Sequence, residues 1–182
     1  MSAREGRSAL LIVDMINPLD FPGGKSLLRH AMPAARRIAT LRKRMKANRS
    51  PSIYVNDNFT HWHCDFTELV AICSQPKAPG APLVEMLAPG RDDYLVLKPK
   101  HSAFFASPLE VLLGQLGIGH VVVTGIAGDG CVLTTAADAH MRDFRVSVPS
   151  DCCASISKAR NDRALRLLRE SMKIETKLSR YV

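Results

Sequence analysis

The stretch Val121-Val-Val-Thr-Gly-Ile-Ala-Gly-Asp-Gly-Cys131-Val-Leu-Thr-Thr-Ala-Ala-Asp-Ala-His140 decides the fold. Its unbroken β-branched opening, Val121 to Val123, is the run expected of a strand covered on both faces, as the strands of parallel sheets are. A glycine-rich turn from Gly125 to Gly130 follows, and beyond Cys131 the residues Leu133, Ala136, Ala137 and His140 recur along one helical face. Strand, tight turn and helix in that order are the repeating half of a βαβ unit.

The same alternation extends along the chain. Short apolar runs at Ala9 to Val13, Ser52 to Val55, Tyr94 to Leu97 and Arg145 to Val148 read as further strands. Helical periodicity covers Pro33 to Ala47, Pro108 to Leu116, Cys131 to Met141 and Lys158 to Met172, the last with Ala164, Leu165, Leu168 and Met172 on one face. The pattern predicts an α/β fold, a three-layer α/β/α arrangement around a mostly parallel, roughly six-stranded Rossmann-like sheet. The sixth strand is sought in the tail from Ile174 to Val182. From Asn56 to Pro89 the chain holds Pro76, Pro79, Gly80, Pro82 and Pro89 and a short helical suggestion around Glu68 to Cys73, which reads as a surface excursion able to cover a site. With 182 residues and no internal repeat or linker, one domain spanning 1–182 is expected.

Composition narrows the function classes. Apolar residues make up 46% of the sequence, which excludes a disordered chain. The formal charge of +8 raises the question of a polyanionic partner, but much of it lies in Arg36, Arg37, Arg42, Lys43, Arg44, Lys46 and Arg49. These interleave with Ala34, Ile38, Leu41 and Met45 at helical spacing, so they form the solvated face of an amphipathic helix and no nucleic-acid partner is expected. The apolar run Ala9 to Val13 is far short of the roughly 18 residues a membrane span needs, so no membrane partner is expected either. Cys64, Cys73, Cys131, Cys152 and Cys153 have neither metal-ligand spacing nor a leader before them, which suggests reduced thiols and a cytoplasmic location.

In an open parallel sheet, ligands collect outside the carboxyl ends of the strands. Three chemically distinctive residues fall there: Asp14 after the first strand, Lys98 after the third and Cys131 after the turn that follows Val121 to Thr124. A thiol at a helix N-terminus beside an ammonium is expected to have its pKa lowered from about 8.5 into the range of roughly 3.5 to 7.5. Asp14 could then accept the thiol proton and return it to a leaving amine, with Lys98 holding the charges in place and backbone amides at the turn receiving an oxyanion. Taken singly, Cys131 reads as a small core residue, Asp14 as a turn cap and Lys98 as a surface cation. Their joint placement is what points to chemistry.

At these residues the sequence resembles the isochorismatase-like cysteine hydrolases, which include nicotinamidases and N-carbamoylsarcosine amidohydrolases. The likeness runs through Ala9-Leu-Leu-Ile-Val-Asp14-Met, Leu97-Lys98-Pro-Lys-His-Ser-Ala-Phe104, the Val121 to Val132 segment and Asp151-Cys-Cys-Ala-Ser155. It implies a catalytic Asp14, Lys98, Cys131 triad and a thioester intermediate, with Lys98 preferred to Lys100 because it stands four residues before Ser102. It also implies a cis peptide between Ile126 and Ala127 that aims the Ala127 and Cys131 amides at the oxyanion. The expected reaction is hydrolysis of a C–N bond in a small amide, carbamoyl or ureido compound. A non-amide substrate of isochorismatase type and a non-catalytic scaffold are the alternatives.

The family's metal-binding nicotinamidases have an Asp-x-His element where this chain has Asp57-Asn58-Phe59, and Phe59 cannot coordinate a metal. No metal and no cofactor are therefore expected, although Asp57, His61 and His63 are ligand types that suit zinc. Phe21, Asp57, Trp62 and Phe104 are the candidate substrate-binding residues, set to enclose a small planar or apolar molecule. Phe105 is a further aromatic near the same mouth in sequence. A small-molecule substrate and a homo-oligomer are the partners that the resemblance implies.

Overall fold

The structure, a computed structural model, describes residues 6–60 and 62–182. Six parallel strands form its centre: β1 Arg7–Val13, β2 Ser52–Asp57, β3 Tyr94–Lys98, β4 Ile118–Ile126, β5 Arg145–Ser147 and β6 Cys153–Ala154. Their order is β3-β2-β1-β4-β5, and β6 pairs with the far end of β4 beyond β5. Among the described residues six α-helices accompany them: α1 Gly24–Ala47, α2 Phe66–Cys73, α3 Ala81–Leu87, α4 Leu109–Gln115, α5 Leu133–Met141 and α6 Lys158–Ser171.

Period-two geometry sorts each strand's side chains to opposite faces. Leu10, Ile12, Tyr54 and Val122 pack with α1, α2 and α3 around Ala31, Ile38, Leu41, Leu69 and Leu83. Ala9, Leu11, Val13, Ile53, Val55, Val121 and Val123 face the other way, onto α4, α5 and α6 through Leu109, Leu113, Ala136, Ala139 and Leu168. Three layers follow directly, because each central strand is apolar on both faces and both faces must be covered.

Three details differ from the sequence reading. Helix α1 begins at Gly24, well before Pro33, which lies inside it. The ring removes one backbone donor, but Leu27, Ala31, Ala34 and Ala35 bury a continuous stripe across that point, and tertiary packing outweighs the local penalty. The sixth strand is Cys153–Ala154, not the tail. The tail contributes an isolated bridge from Glu175 to Ser147 and a short 3-10 turn, Ser179–Tyr181. Finally, the proline-rich stretch is more than an excursion. Asp65 and Glu68 form a reciprocal capping box that starts α2, while Leu83, Val84 and Leu87 of α3 are buried against α1.

At the amino ends of the strands, opposite the site described below, His120 is buried between Ser8 and Ser147, with each ring nitrogen 2.9 Å from a serine hydroxyl. Burial pushes its pKa down from 6.5 to about 4, the Arg145 charge adds to this and Glu175 opposes it. The folded value is below the unfolded one, so the unfolded chain binds the extra proton first. The stabilisation from the neutral ring is complete above about pH 6.5 and is lost as pH falls towards 4. Denaturant unfolding at pH 7 and pH 4.5 should show this, with the loss of stability about 2 to 3 kcal/mol smaller in His120→Gln than in the wild type.

Candidate functional site

Asp14 is the first residue beyond β1, and its backbone N–H donates to Val55 O at 3.0 Å. Its φ of 53° lies in the left-handed region, which aspartate tolerates better than most residues with a Cβ. The following loop is held by Asn56 on β2, whose amide oxygen accepts from the Ile16 N–H at 3.1 Å while its nitrogen donates to Ile16 O at 2.8 Å. The side chain thus imitates a strand neighbour and keeps Asp14 at the sheet edge. Asp57, next along β2, presents its backbone N–H to Asp14 Oδ1 at 2.6 Å.

Lys98 closes β3, two strands from β1, and is fully buried. Its Nζ lies 3.0 Å from Asp14 Oδ2, 3.1 Å from Lys100 O and 3.4 Å from Cys131 Sγ. Asp14 also hydrogen-bonds the Cys131 side chain. One ammonium therefore joins a carboxylate from β1 to a thiol that follows β4, and the thiol closes the circuit back to the carboxylate. The three residues that the sequence placed at strand ends do meet.

The thiol is carried by a wide turn, Gly128–Val132, that runs into α5 at Leu133. The helix proper starts two residues later than Cys131, so the sulfur does not cap its first turn. Ala127 O accepts from the N–H groups of Gly130 at 2.9 Å and Val132 at 3.1 Å, and the Ile126–Ala127 peptide is cis. Gly125, at φ 118°, passes so close to β1 that a Cβ there would stand 2.0 Å from Val13 O.

Electrostatics reverse one expectation. Burial pushes the Cys131 thiol up to about 12, the neighbouring Asp14 charge pushes the same way, and the pull of Lys98 does not offset them. At rest the sulfur keeps its proton. Burial also raises Asp14, against the lowering influence of the Lys98 charge. For Lys98, burial works against the charged form, but Asp14 and Cys131 together hold its pKa above the ordinary lysine value.

A second set of contacts, not anticipated from sequence, ties the Lys98 loop to the helix after Cys131. Ala103 N donates to Thr135 Oγ1 at 3.0 Å and Ser102 Oγ donates to Asp138 Oδ2 at 2.5 Å. Arg142 then bridges Asp138 at 2.9 Å and Glu110 at 2.6 Å. Thr135 and Asp138 are three apart on α5 and share a face, a polar pair beside an apolar stripe that sequence spacing could have flagged.

The expected substrate-binding residues fall into two groups. Phe104 is a correction: it is 5% exposed and packs in the core, its ring 5.8 Å from that of Phe144 and beneath the Arg142 guanidinium. A ring so buried presents little surface to a ligand. Phe21 is 42% exposed, Trp62 is 61% exposed and Phe105 is also exposed, leaving all three free to meet a ligand. Asp57 is present through the amide that holds Asp14. His61 lies outside the described residues. Among the described residues no three His, Cys, Asp or Glu side chains are grouped as a metal site.

Comparison with known proteins shows the family and the fold. The isochorismatase domain family matches residues 8–177. An uncharacterized isochorismatase family protein, YaaI of Bacillus subtilis, is 39% identical over 160 residues, covering 88% of this chain and 87% of its own. An isochorismatase family protein from Desulfovibrio vulgaris superposes with a TM-score of 0.79 at 24% identity, covering 97% of this chain and 96% of its own. The N-carbamoylsarcosine amidase from Thermoplasma acidophilum superposes with a TM-score of 0.71 at 25% identity over 95% of this chain and 96% of its own. The chain belongs to the isochorismatase family of hydrolases.

Proposed function

We propose that this protein is a cysteine-dependent hydrolase that cleaves a C–N bond of a small amide, carbamoyl or ureido compound, with Cys131 as nucleophile, Asp14 as proton carrier and Lys98 as their electrostatic anchor. The observation that carries this reading is the buried circuit in which Lys98 Nζ lies 3.0 Å from Asp14 Oδ2 and 3.4 Å from Cys131 Sγ. The kinship to an N-carbamoylsarcosine amidase in fold and family supports the amide class.

The geometry favours proton transfer coupled to attack over a pre-formed thiolate. As sulfur approaches the substrate carbonyl carbon, the thiol proton passes to Asp14 and the carbonyl π pair moves onto oxygen. That oxyanion is received by backbone amides of the turn, those of Ala127 and Cys131, while Lys98 keeps the local charge balanced. Collapse of the tetrahedral adduct breaks the C–N bond, and the leaving amine takes the proton from Asp14. Water then attacks the thioester, giving one proton back through Asp14 to sulfur and its hydroxyl to the acyl carbon. No step requires a metal.

Phe21, Trp62 and Asp57 are the side chains we place around the substrate. The assembly we propose is a cytoplasmic homo-oligomer, in which a second copy helps to close the site; sedimentation of the purified protein as a monomer overturns that part.

Three measurements test the chemistry. Ammonia release across nicotinamide, maleamate, carbamoyl amino acids and ureido compounds should identify a substrate, and Cys131→Ala should abolish its turnover while remaining folded; full activity in that variant refutes the mechanism. Alkylation of Cys131 by iodoacetamide should lack the inflection near pH 8.5 of an ordinary thiol, whereas kcat/KM should fall on the acid side as Asp14 takes up a proton; a simple thiol titration near 8.5 contradicts the coupled transfer. Lys98→Met leaves a buried carboxylate without its partner and should cost about 3 to 5 kcal/mol in stability along with the activity, with Asp14→Asn in the same chain recovering part of the stability and none of the activity.

A further inference from the structure

Behind the nucleophile turn lies a polar bracket that makes no direct hydrogen bond to Asp14, Lys98 or Cys131. Asp129 N donates to Ser155 Oγ at 3.0 Å, and Ser155 Oγ donates to Asn161 Oδ1 at 3.4 Å. Asn161 Nδ2 in turn donates to Cys153 O at 3.4 Å, and Cys153 is registered against Gly125 at the end of β4. The contacts form a closed loop: β4 leads into the turn, the turn hangs on Ser155 and Asn161, and Asn161 is tied through β6 back to β4. Helix α6, which carries Asn161, is itself fixed at its start by the Ser157 hydroxyl accepting from the Arg160 N–H. On the outside, Arg160 Nε meets Asp129 Oδ2 at 2.5 Å.

The fit is closer than a side chain at position 128 would permit. A Cβ on Gly128 would stand 2.0 Å from Asn161 Oδ1 and 3.2 Å from Ser155 Oγ. Ser155 is fully buried and Asn161 is 8% exposed. Two desolvated polar side chains are costly to maintain unless their hydrogen bonds are made, and an apolar filler could have supported a turn without that cost. What polar atoms add is a defined direction for the backbone, because a hydrogen bond fixes both distance and angle where an apolar contact fixes neither.

We propose that Ser155 and Asn161 are positioning residues, which set the path of the 128–132 turn and so the direction in which its backbone amides face a substrate carbonyl. The inference rests on the thiol chemistry proposed above. An oxyanion site acts only when its donors already point at the place where charge develops, and a displacement of about 1 Å in such a group can lower the rate on the order of a hundredfold.

The test separates positioning from folding. In Ser155→Ala, exchange of the Asp129 amide in isotopically labelled protein should quicken at least about tenfold, in line with loss of its acceptor. For the best substrate of the ammonia screen, kcat should fall roughly 10- to 100-fold with KM changed by less than about threefold, the signature of an interaction made in the transition state. Alkylation of Cys131 by iodoacetamide forms no oxyanion, so its rate should stay within about twofold of the wild type. A second variant pair guards against a trivial loss of structure. Gly128→Ala should destabilise the protein, and adding Asn161→Ala should relieve the clash and restore the melting temperature but leave kcat low.

Unchanged exchange at Asp129, unchanged kcat in Ser155→Ala, a parallel fall in kcat and alkylation, or full activity in the Gly128→Ala/Asn161→Ala protein would each overturn the proposal. If the wild type hydrolyses nothing in the panel, it is the amide hydrolase reading that fails. The exchange measurement still decides whether the bracket holds the turn.

Discussion

Everything at the carboxyl edge of this sheet depends on one buried ion pair. An ammonium as completely desolvated as that of Lys98 costs several kcal/mol to bury, and only close opposite charge with further hydrogen bonds offsets this. Asp14 supplies the charge, Lys100 O accepts a hydrogen bond from the ammonium, and the Asp57 N–H donates to the other carboxylate oxygen. These groups come from the ends of β1, β2 and β3, so the pair forms only when three neighbouring strands stop in register. The register observed, with Asp57 opposite Lys98 and Val13 opposite Val55, is that alignment.

The same desolvation decides the acid–base state of the sulfur. A buried group is driven towards its neutral form, and for a thiol that is the protonated one. Lys98 alone would favour thiolate, but Asp14 stands beside the same sulfur and its charge acts in the opposite sense. The consequence is a division of roles. In the proposed hydrolysis, the ammonium keeps Asp14 available as a base in a place where burial alone would protonate it, and Asp14 keeps the proton on sulfur until a carbonyl provides somewhere for the electrons to go.

How much of this the sequence could reveal depends on the range of the interactions involved. Asp14, Lys98 and Cys131 were legible because each follows an apolar run, and strand-end placement is a local property. The three-layer fold was legible for the same reason. Pro33 misled because a local breaker was outweighed by a buried stripe on both sides of it, and β6 was missed because two residues, Cys153 and Ala154, give no periodicity to read. The burial of Phe104 was not legible because the partners of its ring, Phe144 and the Arg142 guanidinium, stand far along the chain. The thiol's acidity was misjudged because a helix start and a lysine are visible in a sequence, whereas desolvation is a sum over the whole surrounding structure.

The glycines in Gly125-Ile-Ala-Gly128 take on a sharper meaning once the partners of each are known. Gly125 is pressed against the backbone of β1 immediately before Asp14, and Gly128 is pressed against Asn161 of α6 on the turn's other side, each at a separation where a Cβ would stand 2.0 Å from an oxygen. The segment that carries the thiol is thus clamped between the strand that carries the base and the helix that supports the turn. Glycine at these two positions sets a distance as well as allowing a bend. A methyl group at position 125 would push the segment away from β1, and one at position 128 would push it away from α6, so either would shift the turn without altering a single residue of the circuit. The position of the thiol is therefore set as much by the two residues that lack a side chain as by the three whose side chains meet.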